Sequence, residues 1–203
     1  AMTAIAKNLA EAGLRVARFE FDYMASRRTS SGRKPPPRAE ALKPEYVAAI
    51  AALKARGPLI IGGKSMGGRV ASLVADALQA RGAVAGLLCL GYPFHPVGKP
   101  QQLRTAHLET LRTPTLIVQG TRDPFGTRAE VTTYRLSPEI EILWLEDGDH
   151  DLKPRKGGMA TPVDKTLARA GRPFARLVLE AMDANQITAV DAFLMSSPLA
   201  EPL

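Results

Sequence analysis

Gly63-Lys64-Ser65-Met66-Gly67 sets a serine between two glycines at the G-x-S-x-G spacing in a chain of 203 residues. The apolar run Leu59-Ile60-Ile61 precedes it and a helix-compatible segment follows, so the serine is expected on a tight strand-to-helix turn. Such a turn strains the serine backbone and leaves no space for side chains two positions away on either side. The helix that follows aims its first N–H groups, Met66 foremost, at the place where an oxyanion would form. Ser65 is therefore the candidate nucleophile for acyl transfer, with Met66 as oxyanion donor. Gly63-Lys64-Ser65 also matches the end of a phosphate-binding loop. That motif needs glycine where Pro58 stands and a flexible cradle where the β-prone Leu59-Ile60-Ile61 lies, which argues against it.

A serine hydroxyl needs a base, and the base an orienting acid. The chain has three histidines, His95, His107 and His150. His150 lies in DGDHD just past the last expected strand, where it can lean over the elbow, and is the expected base. His95 follows an earlier strand in a Pro-rich loop and is a possible pocket residue. His107 falls in a polar helix and is expected to face solvent. Asp123, in QGTRDPFG after a buried strand, is the expected acid. Asp147, Asp149 and Asp151 crowd His150 as rivals, their plainer reading being a polar turn.

These residues need a scaffold of strands alternating with helices, the pattern of an α/β fold with a mostly parallel sheet. Strands are expected at 14–21, 58–62, 84–90, 114–120 and 139–146. Helices are expected at 3–12, 39–56, 67–80, near 101–108 and at 127–135, and everything after about 162 reads as helical. The Pro- and Arg-rich stretch 27–38 is expected to border the ligand crevice as a solvated loop. The length fits one domain over 1–203, its last part, 161–203, being compositionally atypical.

The formal charge is +7 but aromatic residues are only 5%, and the basic residues concentrate in loops, so no nucleic-acid partner is expected. No apolar run reaches the length of a membrane span, so no membrane partner is expected either. The one cysteine, Cys89, lies in LLCLG and reads as a small buried hydrophobe, so no disulfide joins two points of the chain. A cytoplasmic protein is the expectation.

GKSMGGRVAS, GYPFHPVGKP, PTLIVQGTRDPFG and DGDHDLKPRK, with FEFDYMASRR and GRKPPPR, resemble the small α/β-hydrolase-like proteins grouped with dienelactone-hydrolase relatives. They are similar also to the hydrolase-like domain of a histone-acetyltransferase complex subunit. The resemblance covers residues 2 to about 160 and implies the α/β-hydrolase fold, with its triad pattern falling on Ser65, Asp123 and His150 in that order. The resemblance does not fix a substrate. The triad chemistry itself leads to the expectation of a serine hydrolase acting on an ester, thioester or similar acyl bond of a small molecule, with no metal or organic cofactor needed. A rival in a different class is a non-catalytic interaction module presenting the basic Pro-rich loop. In these proteins a strand and a His-Gly-rich loop carrying a second oxyanion donor precede the helix with which this chain begins. Without that strand the sheet is expected to show two open edges between 14–21 and 58–62, and activity to be impaired. Three closures are open: direct pairing of the two strands, insertion of the C-terminal segment, or a second copy of the chain, giving a homo-oligomer.

Overall fold

The computed structural model describes residues 14–26, 36–55, 59–155 and 190–195. Among the described residues six strands form one sheet: β1 (Leu14–Phe19), β2 (Leu59–Lys64), β3 (Val84–Leu90), β4 (Thr115–Gly120), β5 (Ile140–Leu145) and β6 (Val190–Met195). All neighbours pair in parallel, in the spatial order β1-β6-β2-β3-β4-β5. The helices are α1 (Asp22–Ser26), α2 (Lys43–Ala52), α3 (Met66–Gln79) and α4 (Arg128–Val131), with 3-10 turns at Ala39–Leu42 and Ala106–Glu109.

The central strands are apolar on both faces, as parallel strands covered by helices must be. Ile61, Leu87, Leu88, Leu90, Leu116 and Ile117 are almost wholly buried. Helix α3 turns Val70, Ala71, Val74, Ala75 and Leu78 toward this core, a spacing that keeps them on one face. Helix α2 is pinned to β2 by Tyr46, whose hydroxyl donates to the Gly62 carbonyl at 2.9 Å and accepts the Gly62 N–H at 3.0 Å. A buried phenol is tolerated there because both hydrogen-bonding roles are met.

Several expected elements are shorter or divided. The single helix expected over 39–56 is a 3-10 turn followed by α2, which starts with Pro44 in its first turn. Proline has no N–H to continue a helix from residue 40, so a new one begins there. The segments expected as a helix at 3–12, as most of the loop at 27–38, and as helix over 161–189 lie outside the described residues.

Residues 190–195 correct two expectations. They form a strand where a helix is expected, and that strand lies between β1 and β2. Leu14–Phe19 pair with Val190–Met195, and Ile60–Gly63 pair with Ala192–Met195. The two edges expected to be open are therefore both paired, by the second of the three closures. The physical reason is that a central slot supplies backbone partners on both sides, which outweighs the weak local preferences of six residues.

Candidate active site

Ser65 stands between the last residue of β2 and the first of α3, at φ 52°, ψ −116°. A non-glycine residue with positive φ is costly, and it persists here because the turn is held on both sides. The Ser65 N–H donates to the Leu90 carbonyl at 3.0 Å, and the Arg69 N–H donates to the Ser65 carbonyl at 3.1 Å. A Cβ on Gly63 would lie 2.7 Å from the carbonyl carbon of Gly67, so strand and helix can come this close only over glycine. This is a strand ending in a strained serine, and a phosphate cradle is a different loop. Met66 opens α3, and its N–H is among those that have no partner within the helix.

Ser65 Oγ lies 2.9 Å from His150 Nε2, and His150 Nδ1 lies 2.8 Å from Asp123 Oδ2. Asp123 is wholly buried. Its Oδ1 accepts the Phe125 N–H at 2.9 Å and its Oδ2 the Gln119 side-chain N–H at 3.0 Å. A carboxylate surrounded by donors acts as acceptor toward the imidazole as well, so Nδ1 carries the ring proton and Nε2 presents a lone pair to the serine. The Phe125 ring packs on the imidazole with centroids 4.3 Å apart, closing off one face. Gly91, at φ 61°, passes so close that a Cβ there would lie 2.8 Å from the His150 carbonyl oxygen.

The structure thus brings the three predicted residues into one hydrogen-bonded series, from the β2–α3 turn, the β4–α4 loop and the loop after β5. The rival carboxylates take other partners. Asp147 pairs with Arg122 at 2.8 Å and accepts the Arg155 N–H at 2.8 Å; that backbone bond, with the neighbouring arginines, holds its carboxyl below the usual range. Asp149 Oδ1 accepts the N–H groups of Asp151 and Lys153 at 2.8 and 3.0 Å. These two shape the histidine loop, as their plainer reading holds. Asp151 pairs with Lys64 at 2.6 Å, and that contact keeps its carboxyl below the usual range. The pair joins the residue before Ser65 to the residue after His150.

His95 is 2% exposed; its Nδ1 lies 2.9 Å from the Pro96 carbonyl, and its Nε2 lies 3.5 Å from Glu130 without hydrogen-bond geometry. His107 corrects the expectation of a solvent-facing residue. Its Nε2 lies 2.8 Å from Ser72 Oγ and 3.4 Å from Tyr92 Oη, and burial, reinforced by Arg69, pushes its pKa down to about 4. Cys89 is buried behind the elbow as expected, its thiol pushed up by burial.

Sequence reasoning missed Gln119. Its Oε1 accepts the Tyr92 N–H at 2.7 Å, which fixes the amide orientation and turns Nε2 toward Asp123 and the carbonyls of Tyr92 and Gly126. A glutamine inside the otherwise apolar run LIVQG was the available signal, since a buried amide must have polar neighbours.

Fold and elbow together define an α/β hydrolase. A family model described as an alpha/beta hydrolase domain matches residues 1–178, and the chain belongs to that family. Among solved structures, it is similar to an alpha-beta serine hydrolase homologue from Coxiella burnetii, with a TM-score of 0.54 and 21% identity, covering 73% of this chain and 66% of that one. It is similar also to a serine hydrolase involved in carbazole degradation, with a TM-score of 0.50 and 14% identity over 73% of this chain and 76% of that one. At these identities the likeness is one of fold. The chain spans just under two thirds of the length of the Coxiella burnetii protein. Among the described residues no helix is long and apolar enough to cross a membrane.

Proposed function

We propose that the chain cleaves an ester or related acyl bond with Ser65 as nucleophile, His150 as general base and acid, and Asp123 as the group that orients the imidazole. One observation carries the reading: Ser65 Oγ, His150 and Asp123 are linked by contacts of 2.9 and 2.8 Å across 85 and 27 positions of sequence. Residues so far apart rarely meet in that order without a chemical reason.

In the first half-reaction Ser65 Oγ bonds to the substrate carbonyl carbon while His150 Nε2 takes the hydroxyl proton. The carbonyl oxygen becomes an oxyanion facing the Met66 N–H. Collapse breaks the bond to the leaving group, which departs with the proton from Nε2 and leaves an acyl-serine. Water then attacks, giving one proton to Nε2, and collapse returns that proton to Ser65 and releases the acid. Asp123 holds Nδ1–H throughout and stabilises the imidazolium.

Labelling with a fluorophosphonate probe tests this reading and separates it from an interaction module that keeps the elbow only as structure. Labelling of the native chain that disappears in Ser65→Ala is the expected result. Absence of labelling, or labelling unchanged in Ser65→Ala, would overturn it.

A further inference from the structure

The loop after β3 reaches the triad acid through His95, a residue with no part in the acyl-transfer steps. Its side chain is 2% exposed, and among the described residues its Nε2 has no hydrogen-bond partner. A buried imidazole with one nitrogen unsatisfied is costly, so its place calls for a reason. Nδ1 lies 2.9 Å from the Pro96 carbonyl. A carbonyl only accepts, so Nδ1 carries a proton and donates it there. That bond ties the ring to its own turn and fixes the backbone on either side of His95.

From this turn two contacts cross to the segment that carries the acid. The His95 N–H donates to the Phe125 carbonyl at 3.2 Å, and Nε2 lies 3.5 Å from Glu130 Oε2. Phe125 is the residue whose own N–H donates to Asp123 Oδ1 at 2.9 Å and whose ring packs on His150 at 4.3 Å. Glu130 Oε2 accepts the Thr127 N–H and hydroxyl at 2.8 and 2.7 Å, the reciprocal cap that starts α4 directly after the acid loop. Phe94 presses on the same loop, since a Cβ on Gly126 would lie 2.7 Å from its ring. Residues 94 and 95 therefore hold the 123–127 turn from outside, while the Gly126 N–H bond to the Asp123 carbonyl at 3.1 Å holds it from within. Phe125 touches both acid and base, so any shift of its backbone displaces both.

We infer that His95 is a positioning residue for acyl transfer: its bond to Pro96 sets the turn that clasps the Phe125 carbonyl, and through Phe125 it keeps Asp123 and His150 aligned with Ser65. This rests on the hydrolase reading above. At 2% exposure the His95 ring does not reach a substrate, so its loss should slow the reaction without weakening binding.

The rate at which a fluorophosphonate probe labels Ser65, resolved into a maximal rate and a half-saturating concentration, tests this. His95→Leu fills the space without a polar atom, and His95→Asn sets an amide N–H where Nδ1 stands. The maximal rate should fall roughly 10- to 100-fold in His95→Leu with half-saturation unchanged, and His95→Asn should recover most of the loss. The low-field proton resonance of His150 Nδ1–H in its bond to Asp123 should shift or broaden in His95→Leu and return in His95→Asn, a readout that lowered stability alone does not move. Should His95→Leu fail to fold, His95→Gln replaces it, because its amide stands at the Nε2 position and leaves the Pro96 carbonyl unserved; the same loss is expected. A native labelling rate in the leucine or glutamine variant, an asparagine variant as slow as these, or a resonance unmoved while the rate falls, overturns the inference and leaves the hydrolase reading standing. Absence of labelling in the native chain is instead a failure of the hydrolase reading.

Discussion

Ser65 meets His150 at 2.9 Å and Ser72 meets His107 at 2.8 Å, so the described residues hold two serine–imidazole contacts of nearly equal length. Their surroundings differ in every respect that matters for proton transfer. Ser72 is mid-helix and 3% exposed, and its hydroxyl already donates to the Arg69 carbonyl at 2.7 Å. Among the described residues no carboxylate is hydrogen-bonded to His107, and burial with Arg69 nearby pushes its pKa down to about 4, against the smaller opposing effect of Glu40 and Asp76. Ser65 sits at a strained turn where, among the described residues, its hydroxyl meets His150 and no backbone acceptor, and His150 has the buried Asp123 on its far nitrogen. Contact length alone says little about reactivity. What separates the two is the fate of the serine proton and the charge that awaits the imidazolium.

The largest expected effect breaks the pairs one at a time. Ser65→Ala should lower ester turnover by about 10⁴- to 10⁶-fold, the scale set by removal of a serine nucleophile elsewhere. Ser72→Ala should leave ester turnover standing and instead lower stability, because the His107 donor and the Tyr92 hydroxyl lose a buried partner. Equal losses of activity from the two substitutions would mean that the two pairs do not differ in function.

Asp123→Asn sharpens the same contrast by making the environment of His150 resemble that of His107. An amide can present a donor to Nδ1 and trap the wrong tautomer, so kcat should drop about 10⁴-fold with little change in fold. Gln119→Leu acts on the same carboxylate more weakly. It removes one N–H from buried Asp123 and also strands the Tyr92 N–H, so a loss of roughly 1 to 3 kcal/mol in stability is expected from chemical denaturation. A Gln119→Leu protein as stable as the native one would show that the amide network is dispensable.

The Lys64–Asp151 pair offers a finer adjustment, since it joins the neighbours of nucleophile and base at 2.6 Å. Lys64→Met leaves the Asp151 carboxylate beside His150 without its partner, and kcat should fall roughly 10- to 100-fold through displaced geometry. If the unpaired charge is the cause, adding Asp151→Asn should recover part of that loss, a non-additivity read from a double-mutant cycle. Strict additivity of the two substitutions would remove the pair from any role in positioning.

Much of this was legible in the sequence because strong local rules leave few choices. Gly62, Gly63, Gly67 and Gly68 around Ser65 point to a tight turn, and the short apolar runs at 84–90 and 114–120 read as strands, which the structure places at Val84–Leu90 and Thr115–Gly120. Its place directly after a buried strand sets Asp123 ahead of Asp147, Asp149 and Asp151, and the observed contact follows that topology. His107 was misread because its sequence neighbours are polar, whereas its burial comes from α3 and Tyr92, which meet it from elsewhere in the chain. Strand β6 was misread for a related reason: Val190–Met195 has no partner nearby in sequence, and the slot that makes it a strand exists only once β1 and β2 are in place. Long-range partners decided both cases, and periodicity carries no trace of them.

The smallest effect isolates the second pair by pH. His107 has a folded-state pKa of about 4 against an ordinary 6.5, so between those values the unfolded chain binds more protons than the folded one at this site. The stability linked to the neutral imidazole is therefore whole above about pH 6.5 and is progressively lost as pH falls toward 4. His107→Gln keeps an N–H donor for Ser72 but cannot titrate. Urea midpoints of the two proteins should differ by a constant amount above pH 6.5, and the native midpoint should then fall more steeply than that of the variant as acid is added. Parallel curves across the whole range would mean that His107 accepts a proton in the folded protein as readily as in the unfolded chain. The Ser72 contact would then be as open to charge as a working base must be, and burial with Arg69 would no longer explain why only one of the two pairs is poised for chemistry.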